Sequence, residues 1–290
     1  MGRMKGMMVA VLVCLVTLAS GCESNDQKEM NADTISGKIL FREPMSDGKS
    51  ISGSDFVTLD PFYCTITPVG FQGSRAKFFG STSKILIQQE LGDVELFDVA
   101  TKEKKVVYNT GSKSSNYRIA FVDGNHFSIA DFKNIHLVDV QNGESTVVVD
   151  EASGIHSWCE NGKVLYYATS LNAADKKGIY SYNTQTGEKT YITDGADPNI
   201  SPDGKILAYQ KKNSLYVKNL ESGNEWRYKH TPLYFCLSPD SKYVAVVEYW
   251  SGAWFYDGYT VKIWDYKKDN SQTVLPRYAN GHCSGIDWAE

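Results

Sequence analysis

One short pattern recurs along this 290-residue chain and restricts what it can fold into. An apolar run meets a turn of Ser, Pro, Asp, Asn or Gly, then Lys or a similar residue, then a second apolar run. The clearest copies are ISPDGKILAY at Ile200–Tyr209 and LSPDSKYVAV at Leu237–Val246. WCENGKVLYY from Trp158, FVDGNHFSIA from Phe121 and FGSTSKILIQ from Phe79 are weaker copies. The residues that close the first run, Phe79, Phe121, Trp158, Ile200 and Leu237, stand 37 to 42 positions apart. A third run follows each time, alternates apolar with polar, and ends in Asp or Asn: FVTLD to Asp60, VELFD to Asp98, IHLVD to Asp139, IYSYN to Asn183, LYVKN to Asn219 and VKIWD to Asp265. A further turn, often with Gly, leads to a fourth run such as Ser145–Val149, Lys189–Thr193, Glu225–Lys229 or Ser271–Leu275. Period-two alternation bounded by turn residues is the signature of hairpins.

Four short strands in each stretch of roughly 40 residues, repeated in step, predict an all-β fold, a six-bladed β-propeller of four-stranded antiparallel blades over residues 36–290. The two ends support the count. The first unit holds strands two, three and four (Lys38–Phe41, Phe56–Asp60, Cys64–Thr67) without a first, and Ser284–Trp288 reads as a first strand with nothing after it. The tail is therefore expected to complete the first blade and close the ring. Closure removes the exposed strand edges of an open array. A β-sandwich does not repeat a strand order in step, and no long 3.6-period segment supports helices.

The Ser-Pro-Asp-Gly-Lys turn at Ser201–Lys205 and its sister at Ser238–Lys242 resemble the TolB-like propeller repeat, which also occurs in the propellers of dipeptidyl peptidases. The resemblance is sharpest over Asp197–Asn219 and Pro232–Asp265 and spans about residues 36–290. It implies the fold; function has to be argued from a site. Ile263-Trp264-Asp265, with Gly281-His282 beyond, is similar to one WD-type repeat, which implies the same architecture.

Residues 1–22 carry an address. Arg3 and Lys5 precede an apolar run from Met7 to Leu18 and the small residues Ala19-Ser20-Gly21, the layout of a signal peptide over residues 1–21. Leu18-Ala19-Ser20-Gly21-Cys22 resembles the lipobox of bacterial lipoproteins. That resemblance implies cleavage before Cys22, acylation of its thiol with palmitate-type chains, and membrane anchoring. Several acyl chains hold a protein nearly permanently, at roughly 0.8 kcal/mol per buried methylene. Residues 22–35 are polar and read as a flexible tether. The resemblance further implies an exported protein, at the outer membrane of a two-membrane cell because Glu23 is not Asp, and otherwise on the outer face of the cell membrane. Export permits disulfides. Cys64, Cys159, Cys236 and Cys283 allow three pairings, and buried thiols are an equal alternative.

Catalytic chemistry is hard to find. No G-x-S-x-G is present. Cys283 adjoins His282, and neighbours in a strand face opposite ways. His126, His136 and His156 fall at different points of the repeat, so no symmetric metal cluster is expected, and no cofactor. The run Asp194–Asn199 lacks the spacing of a Ca²⁺ loop and reads as a connection between blades. A net charge of −4 excludes a strongly basic nucleic-acid binder. The chain reads as non-enzymatic.

One insertion stands out. Glu248–Tyr259, between strands two and three of the last blade, holds six aromatics in twelve residues. Aromatics at a propeller rim suit a protein partner or, alternatively, a carbohydrate that is bound or cleaved. Tyr249, Trp250, Trp254, Phe255 and Tyr256 are the candidate contact residues; the competing reading packs some of them between blades. Smaller polar insertions occupy Pro44–Asp55 and Ser170–Gly178. The expected function is a lipid-anchored envelope scaffold for a protein partner.

Overall fold

Every third strand ends in an Asp or Asn whose side chain folds the next turn. Asp60 Oδ1 accepts from the N–H groups of Phe62 and Tyr63, both at 3.0 Å. Asp98, Asp139, Asn183 and Asn219 repeat this with the second and third residues after them, at 2.7–3.2 Å. Asp265 Oδ1 accepts from Lys268 N–H at 3.1 Å. A short polar side chain that mimics a backbone carbonyl starts a turn without help from the rest of the fold.

The Ser-Pro-Asp turns work in a similar way. Ser201 Oγ donates to Asp203 Oδ1 at 2.6 Å and accepts from Lys205 N–H and Ile206 N–H at 3.1 and 2.8 Å. Ser238 donates to Asp240 at 2.7 Å and accepts from Tyr243 N–H at 3.0 Å. Gly204 has φ 73°, and Ser241 takes φ 59° at the matching position. Ser201 is fully buried. Ser201→Ala leaves the Ile206 N–H without its side-chain acceptor, and urea melts will show a loss of about 1–3 kcal/mol. Ser222→Ala, in an exposed turn, will stay within about 0.5 kcal/mol.

The computed structural model describes residues 35–42, 45–46, 49–50, 56–89, 92–111, 117–131, 133–169, 175–251, 257–279 and 285–290. The strands form six four-stranded antiparallel sheets, the blades of a propeller. Blade two runs Arg75–Phe78, Lys84–Gln88, Asp93–Asp98, Lys104–Asn109. Blade three is Arg118–Phe121, His126–Ala130, Ile135–Asp139, Ser145–Val149, and blade four is Ala152–Cys159, Val164–Thr169, Ile179–Asn183, Lys189–Thr193. Blade five is Ala196–Ile200, Ile206–Lys211, Ser214–Asn219, Glu225–Arg227, and blade six is Tyr234–Leu237, Val244–Ser251, Asp257–Asp265, Asn270–Ala279. Blade one takes its first strand, Ile286–Ala289, from the chain's end and its others from Lys38–Arg42, Phe56–Asp60 and Thr65–Pro68. Ile39 faces Trp288 and Phe41 faces Ile286 in this pairing. The expected closure is therefore present. A small ribbon pairs Met45–Ser46 with Lys49–Ser50 inside the first insertion.

Among the described residues, the buried apolar side chains fall into six groups, one in each seam between neighbouring blades. The seam joining blades six and one holds sixteen, the others seven to ten, so the closing seam has the largest apolar core. Trp288 Nε1 donates to Ser36 O at 2.9 Å, and Ile35, at the end of the expected tether, is buried in the same seam. The rest of the tether, the signal peptide and Cys22 lie outside the described residues. No disulfide joins Cys64, Cys159 and Cys236 to one another; Cys283 is outside the described residues. Burial, with Glu160 and Asp203 nearby, pushes the Cys159 thiol up to about 12, so it stays protonated and unreactive.

Successive strands alternate in direction. The starts of all first strands, the links between second and third strands, and the crossovers between blades therefore share one rim. The remaining turns share the other.

Candidate functional site

The first strands line the channel, and their inner edges have no further strand to pair with. Side chains from the neighbouring blade cover these edges. Asp287 Oδ2 of blade one accepts from Phe78 N–H of blade two at 2.8 Å. Ser157 Oγ of blade four accepts from Ile200 N–H of blade five at 3.0 Å and donates to Pro198 O at 3.1 Å. Asn199 Oδ1 of blade five accepts from Leu237 N–H of blade six at 2.8 Å. Buried backbone donors need such partners, and polar residues laced around the ring supply them.

Above this lacing, all six first strands contribute to one cavity of about 130 Å³. Arg75 and Arg118 open the first strands of blades two and three and line it. Burial and the neighbouring Arg118 push the Arg75 guanidinium down to about 10, and Arg42 adds a smaller push the same way. Burial also lowers Arg118, against the pull of Tyr234 and Asp197. Lys77 is tied to blade one through Asp287 Oδ1 at 3.1 Å and Ile286 O at 3.0 Å.

Two backbone irregularities aim groups at the cavity. In blade five the pairing shifts between Ala196 and Asn199, and Asp197 has φ 54°. Burial raises its carboxyl above the ordinary range, and Arg118 partly offsets this. In blade four the pairing shifts between Ala152 and His156, with Gly154 at φ 106°. Bulges of this kind re-aim side chains beside functional sites.

His156 is buried among polar partners with fixed roles. Its Nδ1 lies 2.7 Å from Gly154 O, which only accepts, so Nδ1 carries the proton. Nε2 then accepts from Ser128 Oγ at 2.6 Å, and Ser128 Oγ accepts from Trp158 Nε1 at 2.8 Å. The Ser–His contact resembles an activated nucleophile in outline, but Ser128 is fully buried. It joins blades three and four. His126 pairs with Asp123 at 2.9 Å and His136 with Asp131 at 3.5 Å, on the second and third strands of blade three. The three histidines do not converge.

The described residues of the aromatic insertion, 248–251 and 257–259, lie in strands. The hairpin of blade six stays paired through Tyr249 with Tyr259 and Trp250 with Gly258 to Ser251 with Asp257. Tyr259 is buried in the closing seam, donates to Arg42 O at 3.0 Å and meets Phe41 edge-on at 6.4 Å. Tyr249 is 51% exposed on the rim of the channel mouth. Trp250 lies within its strand, and Trp254, Phe255 and Tyr256 fall outside the described residues. Sequence reasoning placed Asp197 in a connection and His156 among scattered histidines; the bulges at Gly154 and Asp197 are the signal it lacked.

Six blades, the closing strand and the channel compare directly with solved structures. TolB from Acinetobacter baumannii superposes with a TM-score of 0.68 at 16% identity, covering 87% of this chain and 66% of that one. The fold is that of a TolB-like six-bladed β-propeller. The putative TolB from Agrobacterium tumefaciens gives a TM-score of 0.58 at 15% identity, covering 88% of this chain and 98% of that one. A chain of a nidogen–laminin complex gives 0.62 at 12% identity, covering 88% and 99%. No protein-family model and no curated protein sequence matches the chain. Identities this low establish architecture and leave function to the site.

Proposed function

We propose that this chain is a non-enzymatic scaffold that holds a protein partner at the rim of its channel mouth, anchored at the cell envelope through lipid on Cys22. TolB-like architecture supports a binding scaffold, and one neighbour of the same fold comes from a protein–protein complex. The observation that carries the reading is the blade-six hairpin. Its second, third and fourth strands have 8, 9 and 10 residues, and it lifts the half-exposed Tyr249 onto that rim. Exposed aromatic residues on a rigid β-ribbon are favoured anchors for partners, because little side-chain freedom is lost on contact.

The test is capture from cross-linked envelopes with the wild-type chain and with Tyr249→Ala/Trp254→Ala. The wild type recovers a partner that the double variant recovers at least about ten-fold less, with unchanged melting temperature. Equal recovery of every partner removes the hairpin from the reading. In the same preparation Cys22→Ala shifts the protein to the soluble fraction; retention in the membrane fraction counts against the anchor.

A further inference from the structure

The six turns that follow the third strands are built alike and differ in one respect. In each, the Asp or Asn that closes the strand folds the turn, and the fourth residue after it takes a positive φ: Cys64 52°, Lys102 63°, Gly143 73°, Gly187 73°, Gly223 76° and Asp269 49°. The two residues at the tip are small or polar in five blades: Ala100-Thr101, Gln141-Asn142, Gln185-Thr186, Glu221-Ser222 and Lys267-Lys268. In blade one they are Phe62-Tyr63. Phe62 is 41% and Tyr63 70% exposed, and their rings meet edge-on at 4.6 Å. Five sister turns close without aromatics, so the fold has no need of a ring pair here, and adjacent exposed rings are surface suited to a contact.

The position of this turn says what it meets. Lys38 pairs with Ala289, Ile39 with Leu59 and Asp60 with Thr65, so the turn lies at the end of blade one where the chain enters the ring. Its strand is the immediate neighbour of Lys38–Arg42, roughly 5 Å away. Lipid on Cys22 would hold this corner within about 45 Å of a bilayer, the most that residues 22–34 can span. At such range a weak contact suffices, since the effective concentration is on the order of millimolar. We propose that Phe62 and Tyr63 seat in the headgroup layer of the bilayer that carries the anchor, a contact that rests on the lipid-anchor reading. Phe62 brings an apolar ring and Tyr63 an apolar ring with a hydroxyl, a combination that suits the boundary between membrane and water. The matching tip of the adjacent blade six carries the exposed Lys267 and Lys268, the second paired with Asp265 at 3.2 Å, and the exposed Lys38 stands at the entry. These cations suit the phosphates of lipid headgroups.

Vesicles of equal parts phosphatidylcholine and phosphatidylglycerol, with and without bromine on the acyl chains, test the contact with the full chain purified from envelopes. Tyr63→Trp puts a fluorescent reporter on the tip, and Thr186→Trp puts one on the matching tip of blade four, across the ring. The emission that each variant adds to the wild type's is measured. Bromine is expected to quench the increment of Tyr63→Trp about two-fold or more and to leave that of Thr186→Trp unchanged. Flotation and the mass of the peptide that contains Cys22 report on the anchor separately in the same sample. An acylated chain that floats without quenching in Tyr63→Trp, or with equal quenching in both variants, overturns the contact and leaves the anchor standing. An unacylated chain that neither floats nor is quenched overturns both.

Discussion

Deleting residues 285–290 will abolish cooperative unfolding and leave a protein that aggregates. The segment supplies the whole first strand of blade one. Its removal takes Ile286 and Trp288 from the largest seam, at roughly 1.5–3 kcal/mol or more for each side chain. It also strips the edge of Lys38–Arg42, removes the acceptor of Phe78 N–H, and breaks the bond from Thr82 N–H to Glu290 O at 3.2 Å. An open ring exposes two apolar blade faces and an unpaired strand edge, which is a template for aggregation. Circular dichroism during urea titration, with light scattering alongside, measures both effects. Asp287→Ala is the gentler version. It keeps the strand, removes the carboxylate partner of Lys77 while leaving its bond to Ile286 O, and deprives one inner-edge donor, so a loss of about 1–3 kcal/mol with a retained cooperative transition is expected. A truncated chain that still melts sharply near the wild-type midpoint would show that the closing strand is dispensable.

Acidification will weaken the fold through His156. Burial pushes its pKa down from 6.5 to about 4; the bond to Gly154 O partly opposes this, and the positive charge of Lys77 adds to it. The sign follows from proton binding. Between pH 6.5 and about 4 the unfolded chain holds the proton that the folded chain refuses, so stability is fully present above pH 6.5 and drains away as the pH falls. The loss attributable to this group is on the order of 3 kcal/mol by pH 4. Protonation would place a second donor at Nε2, where the ring now accepts from Ser128, and would force the Ser128 hydroxyl to turn from donor to acceptor in the contact between blades three and four. Urea unfolding of wild type and His156→Gln at pH 7 and pH 4.5 measures it. The variant will be less stable at pH 7 and will lose less on acidification. Parallel losses in both proteins would assign the acid sensitivity elsewhere.

The architecture was legible because its determinants are local. An Asp or Asn closing each third strand, and the Ser–Asp pair of the best two turns, act within five residues. Each copy can therefore be read without knowing its neighbours. The odd strand at the tail, matched by a missing one at the start, even showed how the ring closes. The channel was not legible for the opposite reason. Arg75, Arg118, His156, Asp197 and Tyr234 come from five blades, tens of residues apart, and meet only after closure. Two of these positions also depend on bulges that break the alternation used to assign faces. The hairpin shows a third limit. Aromatic density marked Glu248–Tyr259, but composition alone could not separate Tyr259, packed into the closing seam, from Tyr249, left half in solvent.

The place where the amino-terminal segment joins the ring has a geometric consequence. Ser36 and Lys38 sit beside Trp288 and Ala289, at the finishing end of the first strand. That end belongs to the rim opposite Arg118 and Tyr249. A leash running from Ile35 to a lipid bilayer would hold the ring by its underside. Both the cavity opening and the long ribbon would then look outward, into the surrounding aqueous space, and be presented to whatever approaches from there.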